Sequence, residues 1–244
     1  KAQNASLLNG ENDFNGVVTL DVESQADIAD TNNLLIQGNA RILTTAVAGT
    51  LTAGELSIGS GTLIADEINV NQLEVTEDVN LQAERVAQTQ AVQSGGNITI
   101  RANEVDLVDQ GNDFSGRLIL QNVGAATIGD INELNLSGQV GTLAVDAQRI
   151  TQGQGSTAAL SVQGRTDLRA ANVDLQNTAN DFSGVVDLQV SDAALLRDTN
   201  DLVIQGDVGT MNIRAANLTQ FESLTVRNSA SIAADSVKLD NAAN

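Results

Sequence analysis

Apolar and polar residues alternate along this chain in short runs of the form apolar–any–apolar. Leu34–Ile36, Leu56–Ile58, Ile98–Ile100, Val105–Leu107, Leu134–Leu136, Val173–Leu175 and Leu202–Ile204 are examples. A period of two sends successive side chains to opposite faces, so each run predicts a strand with one buried face. The runs are bounded by Gly, Asn, Asp, Ser or Thr, which accept turn geometry. No stretch carries apolar residues at i, i+3, i+4 and i+7. Asn80–Ala91 comes nearest, but it is short and uncapped, and an irregular insertion is expected there.

The strands are organised by a repeat. Asn-Asp-Phe-x-Gly occurs at Asn12–Gly16, Asn112–Gly116 and Asn180–Gly184. Each Phe is followed, at one fixed interval, by Gly38, Gly138 or Gly206. Between those points the same slots hold the same chemistry. Leu20, Leu120 and Leu188 match, as do Asp30, Asp130 and Asp198, and Asn32, Asn132 and Asn200. Upstream, Leu7, Leu107 and Leu175 stand at one fixed distance before their Phe. The repeats therefore run 1–100, 101–168 and 169–232, with a fourth beginning at 233–244. The extra length of the first is worth one to two further windings. Units that cannot bury an apolar face alone must stack on their neighbours.

Short strands, turn residues and a coil of roughly 20–24 residues predict an all-β chain, a parallel β-helix running through 1–244 as one continuous solenoid. The crossover rule makes it right-handed. The alternative is a set of antiparallel β-sandwich repeats. That fold wants hairpin turns such as Asn9-Gly10 and Asn15-Gly16, and the later copies do not keep them. In the β-helix, Phe14, Phe114 and Phe182 should occupy equivalent, largely buried corners, with Gly16, Gly116 and Gly184 at the turn after each. The Asn slot should supply turn residues that tolerate left-handed backbone, with side-chain amides bonded to the adjacent chain. Asn244 aligns with Asn12, Asn112 and Asn180, so the segment is expected to be an internal slice of a longer rod. Its ends should be complementary and able to meet head to tail.

Composition sharpens this picture. Of the 244 residues 41% are hydrophobic, almost all Ala, Val, Leu and Ile, and aromatics are 2%. There is no Pro, where average usage of about 5% would give roughly a dozen. Pro removes a ladder donor, and in a solenoid nearly every strand is central. The absence of Cys excludes disulfides and thiolate metal sites. The net charge of −19 excludes nucleic acid as a partner and argues against anionic lipid surfaces. No apolar stretch is long enough to insert in a membrane as a helix.

Catalytic chemistry is thinly represented. The chain has no His, no Cys nucleophile, and neither a nucleophile elbow nor a phosphate loop. Two carboxylate groupings could in principle serve a glycosidic bond: Asp187, Asp192, Asp198 and Asp201, and Asp21, Glu23, Asp27 and Asp30. The Asp30, Asp130 and Asp198 slot is copied in each repeat, however, which a catalytic pair has no need to be. Calcium-roll and EF-hand patterns are absent, Gly95-Gly96-Asn97 being only a fragment. No catalytic, cofactor-binding or metal-binding residue is assigned, and no cofactor is expected.

Asn-Asp-Phe-Ser-Gly followed by Val-x-Leu-x-Val, then Leu196–Gly206 as Leu-x-Asp-x-Asn-x-Leu-x-Ile-x-Gly, resembles the repeats of large bacterial exoproteins. These are the filamentous-haemagglutinin-like proteins exported by two-partner secretion and related giant adhesins. The resemblance implies an extracellular β-helical shaft without catalysis, on the bacterial surface or in a secreted fibre. Its partners would be further copies of itself and, through other regions, a cell-surface glycan or protein. The alternative is a β-helical polysaccharide lyase or glycoside hydrolase. A non-repeated groove with facing carboxylates and a cation would favour that enzyme.

Overall fold

The structure, a computed structural model, describes residues 1–241. The chain divides into two compact units, Lys1–Val123 and the residues from Gly124 on. Each is all-β, its strands stacked in parallel, turn on turn, as a β-solenoid. Every pairing described is parallel, so the antiparallel sandwich is excluded. The one helix among the described residues is a single 3-10 turn, Ser156–Ala158. The aligned Asn244 lies outside the described residues.

The alternation read from the sequence becomes vertical columns. In the first unit Leu34, Leu51, Ile68, Val86 and Val105 stack over one another on successive turns, each at most 1% exposed. A second column runs Ile28, Thr45, Leu63, Leu81, Ile100 and Leu120. In the second unit Val145, Leu168, Leu188, Gly206 and Leu224 stack likewise. Aliphatic side chains of similar size fill most levels, and the backbone between levels is hydrogen-bonded on both sides, a ladder that a Pro would interrupt.

Most turns are shorter than the expected coil, and they vary. In the first unit the shortest step takes Gln25 to its partner Ile42, and the longest takes Asn4 to Gln25. In the second the range runs from Leu202 against Leu218 to Leu143 against Thr166. The fixed interval from Phe to Gly misleads because it joins different positions on successive turns. Gly38 pairs with Leu20, which already lies beyond the Phe14 corner on its own turn. Asn80–Ala91 also differs from expectation. It overlaps two regular strands, Val79–Gln82 and Arg85–Gln88, whose two-residue period was hidden by the corner between them.

The repeated glycines are required by the backbone. Gly38, Gly138 and Gly206 have φ of 100°, 122° and 123°, which L side chains rarely adopt. A Cβ on Gly38 would stand 2.1 Å from the carbonyl oxygen of Leu20, and one on Gly206 equally close to that of Leu188. In both strands the register shifts beside the glycine, between Ile36 and Gly38 and between Ile204 and Gly206, which marks a bulge.

Candidate functional site

The repeated motif builds a corner, seen most completely around Asn180. Asn180 is fully buried. Its Nδ2 donates to the carbonyl of the repeated Leu175, 3.0 Å away. Its Oδ1 accepts the backbone N–H of Leu160 on the preceding turn at 2.9 Å. Gln152 completes the set. Its Nε2 donates to Asn180 Oδ1 at 2.9 Å, and its Oε1 accepts from Asn180 Nδ2 at 2.7 Å. On the other side, the backbone N–H and hydroxyl of Thr199 both donate to the Asn180 carbonyl. One side chain thus joins its own loop to the turn before, and its backbone meets the turn after.

The buried Asp of the repeat does comparable work. Asp198 Oδ2 accepts the N–H of Phe182 at 2.9 Å, and Oδ1 accepts that of Asn200 at 2.8 Å. Asp30 treats Phe14 and Asn32 in the same way, at 2.8 and 2.9 Å. Asp130 accepts from Asn132 at 2.8 Å. Burial pushes the Asp198 carboxyl above its ordinary value. The two backbone N–H groups oppose this, and the nearby charges of Asp181 and Asp201 add to it.

The Asn slot divides the expectation made for it. Asn32 Nδ2 does bond the adjacent turn, reaching Asp13 at 2.6 Å, as Asn200 reaches Asp181 at 3.1 Å. None of the three adopts left-handed backbone. Among the described residues the non-Gly residue that does is Asn122, at φ 55°. The Asp two residues upstream already closes the turn by accepting the Asn N–H, so the φ > 0 route is unnecessary.

Phe114 and Phe182 are 2% and 1% exposed, against Ser94 and Val162 of the preceding turn. Gly116 and Gly184 lie so close to Gly96 and Gly164 that a Cβ would meet their carbonyl oxygens at 2.0 and 2.2 Å. Phe14 is only half-buried, and nothing lies within 4 Å of a Cβ on Gly16. No described strand packs against that corner as the earlier turn does in the other copies.

The corner in the first unit repeats the arrangement with Asn112, Gln88, Val92 and Leu107. Gln88 and Gln152 were not singled out from the sequence. Gln88 precedes Asn112 by 24 residues and Gln152 precedes Asn180 by 28 residues, so no fixed spacing connects them. The only signal was a Gln before a Gly- or Thr-containing loop.

The two carboxylate groupings do not converge. Asp187 lies on a strand between Asp167 and Gln205, held by Arg165 at 2.6 Å and Gln205 at 2.5 Å. Asp192 falls in the register shift between Val190 and Ala193, Asp198 in the corner, and Asp201 against Asn217. Glu23 pairs with Lys1, Asp27 with Gln25, and Asp30 is buried. Among the described residues no group of three or more acidic side chains is placed to hold a metal ion.

A groove of about 400 Å³ follows a corner of the first unit, past Asp66, Glu84, Arg101, Asn103 and Asn122. Asp66 and Glu84 are exposed, and Asn103 donates to Glu84.

No curated protein and no solved structure matches the chain. Three stretches, residues 53–121, 123–189 and 191–244, match a family of repeats of unknown function, DUF5649. The second and third begin at 123 and 191, the same spacing as Arg101 and Arg169, so the same repeat is divided at a different phase. These stretches cover most of the chain, and the protein belongs to this family of repeats.

Proposed function

We propose that this chain is an extracellular structural and adhesive shaft segment of a large bacterial surface or secreted fibre protein, and that it is not an enzyme. The observation that carries the reading is the use made of the repeated polar residues. Asn180, Asp198 and Asn200, and their counterparts, bond the protein's own turns to one another. A repeat family and a β-solenoid fold support a structural repeat protein. The further step to a haemagglutinin-like adhesin rests on the resemblance of the motif. The acidic surface keeps such a segment soluble and self-repelling until salt screens it. Its partners are further copies of itself and, through other regions, a cell-surface glycan or protein. Antibodies against the chain should label intact source cells, and protease treatment of those cells should remove the label. Antigen confined to the cytosol would sink the proposal.

The groove at Asp66, Glu84 and Arg101 favours a second reading, a polysaccharide-active enzyme, because two carboxylates and a cation line it. Against it, the two carboxylates stand on neighbouring turns of one wall, solvated, rather than on opposite sides of a bond to be cut. Incubation with acidic and neutral polysaccharides separates the readings. The shaft releases no new reducing or unsaturated ends. Release that disappears in Asp66→Asn or Glu84→Gln establishes the enzyme.

A further inference from the structure

We infer that Asn15-Gly16 is a site of spontaneous deamidation in this chain, and that it reacts ahead of Asn9-Gly10. These are the Asn-Gly pairs in the sequence. The reaction needs the Gly backbone nitrogen to reach the Asn side-chain carbonyl carbon. It therefore needs a side chain free of hydrogen bonds and a following residue free to rotate. Asn15 and Gly16 are both exposed, and a Cβ on Gly16 would meet nothing within 4 Å. Among the described residues the Asn15 side chain makes no hydrogen bond. In the equivalent corners the residue is Ser. Ser115 and Ser183 donate their backbone N–H to Ser94 and Val162 of the turn before, and the glycines after them are pressed against backbone. Asn9 is also exposed, but its Oδ1 accepts the N–H of Glu11 at 3.1 Å and its own carbonyl accepts that of Asn12, which holds the turn.

The Gly16 nitrogen attacks Asn15 Cγ and loses its proton to solvent base. The new C–N bond closes a five-membered succinimide and the amide leaves as ammonia. Water then adds to either ring carbonyl and breaks one C–N bond, giving aspartate or isoaspartate. The balance is amide plus water to carboxylate plus ammonium, with no redox change. Either product adds a negative charge next to Asp13 and Asp30. The iso form also lengthens the backbone beside Phe14, whose N–H Asp30 holds.

The whole chain is incubated at mildly alkaline pH and sampled over time by peptide mapping, with isoaspartate methyltransferase labelling. The expected result is conversion first at Asn15, more slowly at Asn9, and at background level at Asn39, which lies within a strand and is not followed by Gly. Asn15→Ser, the residue of the other copies, should abolish the fast component and leave the conversion at Asn9. No conversion at Asn15, conversion no faster than at Asn39, or Asn9 reacting as fast as Asn15 would each overturn the assignment.

Discussion

Asn180 and Gln152, distant in sequence, exchange two amide hydrogen bonds of 2.9 and 2.7 Å inside a corner that excludes water around Asn180. Each amide presents a donor and an acceptor to the other, so neither side chain can be removed without leaving the other short of partners. Asn180→Ala should cost more than about 2 kcal/mol, because the Leu160 N–H and Leu175 carbonyl lose their partner as well. Gln152→Ala should cost less. A double-mutant cycle by denaturant unfolding should give a coupling of about 0.5–3 kcal/mol. Additive losses would show that the pair is geometrically close but energetically idle.

The three repeat Phe residues should not be equivalent in stability. Phe114→Ala and Phe182→Ala empty fully buried sites and should each cost about 3–5 kcal/mol. Phe14→Ala, at a half-buried corner, should cost clearly less. Equal costs at all three positions in urea titrations would mean that Phe14 is covered in solution.

Much of this was legible because the solenoid repeats its demands. Gly38, Gly138 and Gly206 recur because a positive φ recurs, and Asp30 and Asp198 because each accepts the same two N–H groups. The turn length was less legible. Corner residues are added or lost between levels, so the spacing from Arg169 to Gln189 differs from that between Asn172 and Ala193 just beyond it. Gln88 and Gln152 were hidden because one ends a strand and the other lies in a loop, in stretches of unlike sequence, and both act across turns. The half-burial of Phe14 could not be read from the Asn-Asp-Phe-x-Gly motif it shares with Phe114, because burial depends on what packs beside it.

Thr45 occupies a core column between Ile28 and Leu63 at 0% exposure, and among the described residues its hydroxyl has no hydrogen-bond partner. Thr45→Val keeps the shape and removes the stranded hydroxyl. It should stabilise the protein by about 1 kcal/mol, read as a rise in the denaturation midpoint at unchanged m. A loss of stability would indicate a partner for the hydroxyl in solution.

Asp198 should make a pH-dependent contribution of defined sign. Burial raises its carboxyl in the folded state, so the folded chain holds the proton to higher pH than the unfolded chain. Its contribution is greatest below the ordinary carboxylate range and is lost as pH rises from there through the raised value. Asp198→Asn cannot titrate and offers an NH₂ where one backbone donor now points, so it should be less stable throughout. The gap between wild type and variant should narrow as pH rises through that window. A gap that widens instead would mean that the two N–H groups outweigh burial.

The central claim is that the repeated Asn, Asp and Phe form corners that tie one turn to the next. Residue-resolved amide hydrogen exchange tests this most directly, at Leu160, whose N–H is held by Asn180, and at Phe182, whose N–H is held by Asp198. Both should be protected to the level of core amides such as Ile204, and Phe182 should lose that protection selectively in Asp198→Asn. Exchange at Leu160 and Phe182 as fast as in the exposed loop at Gln154–Ser156 would contradict the account.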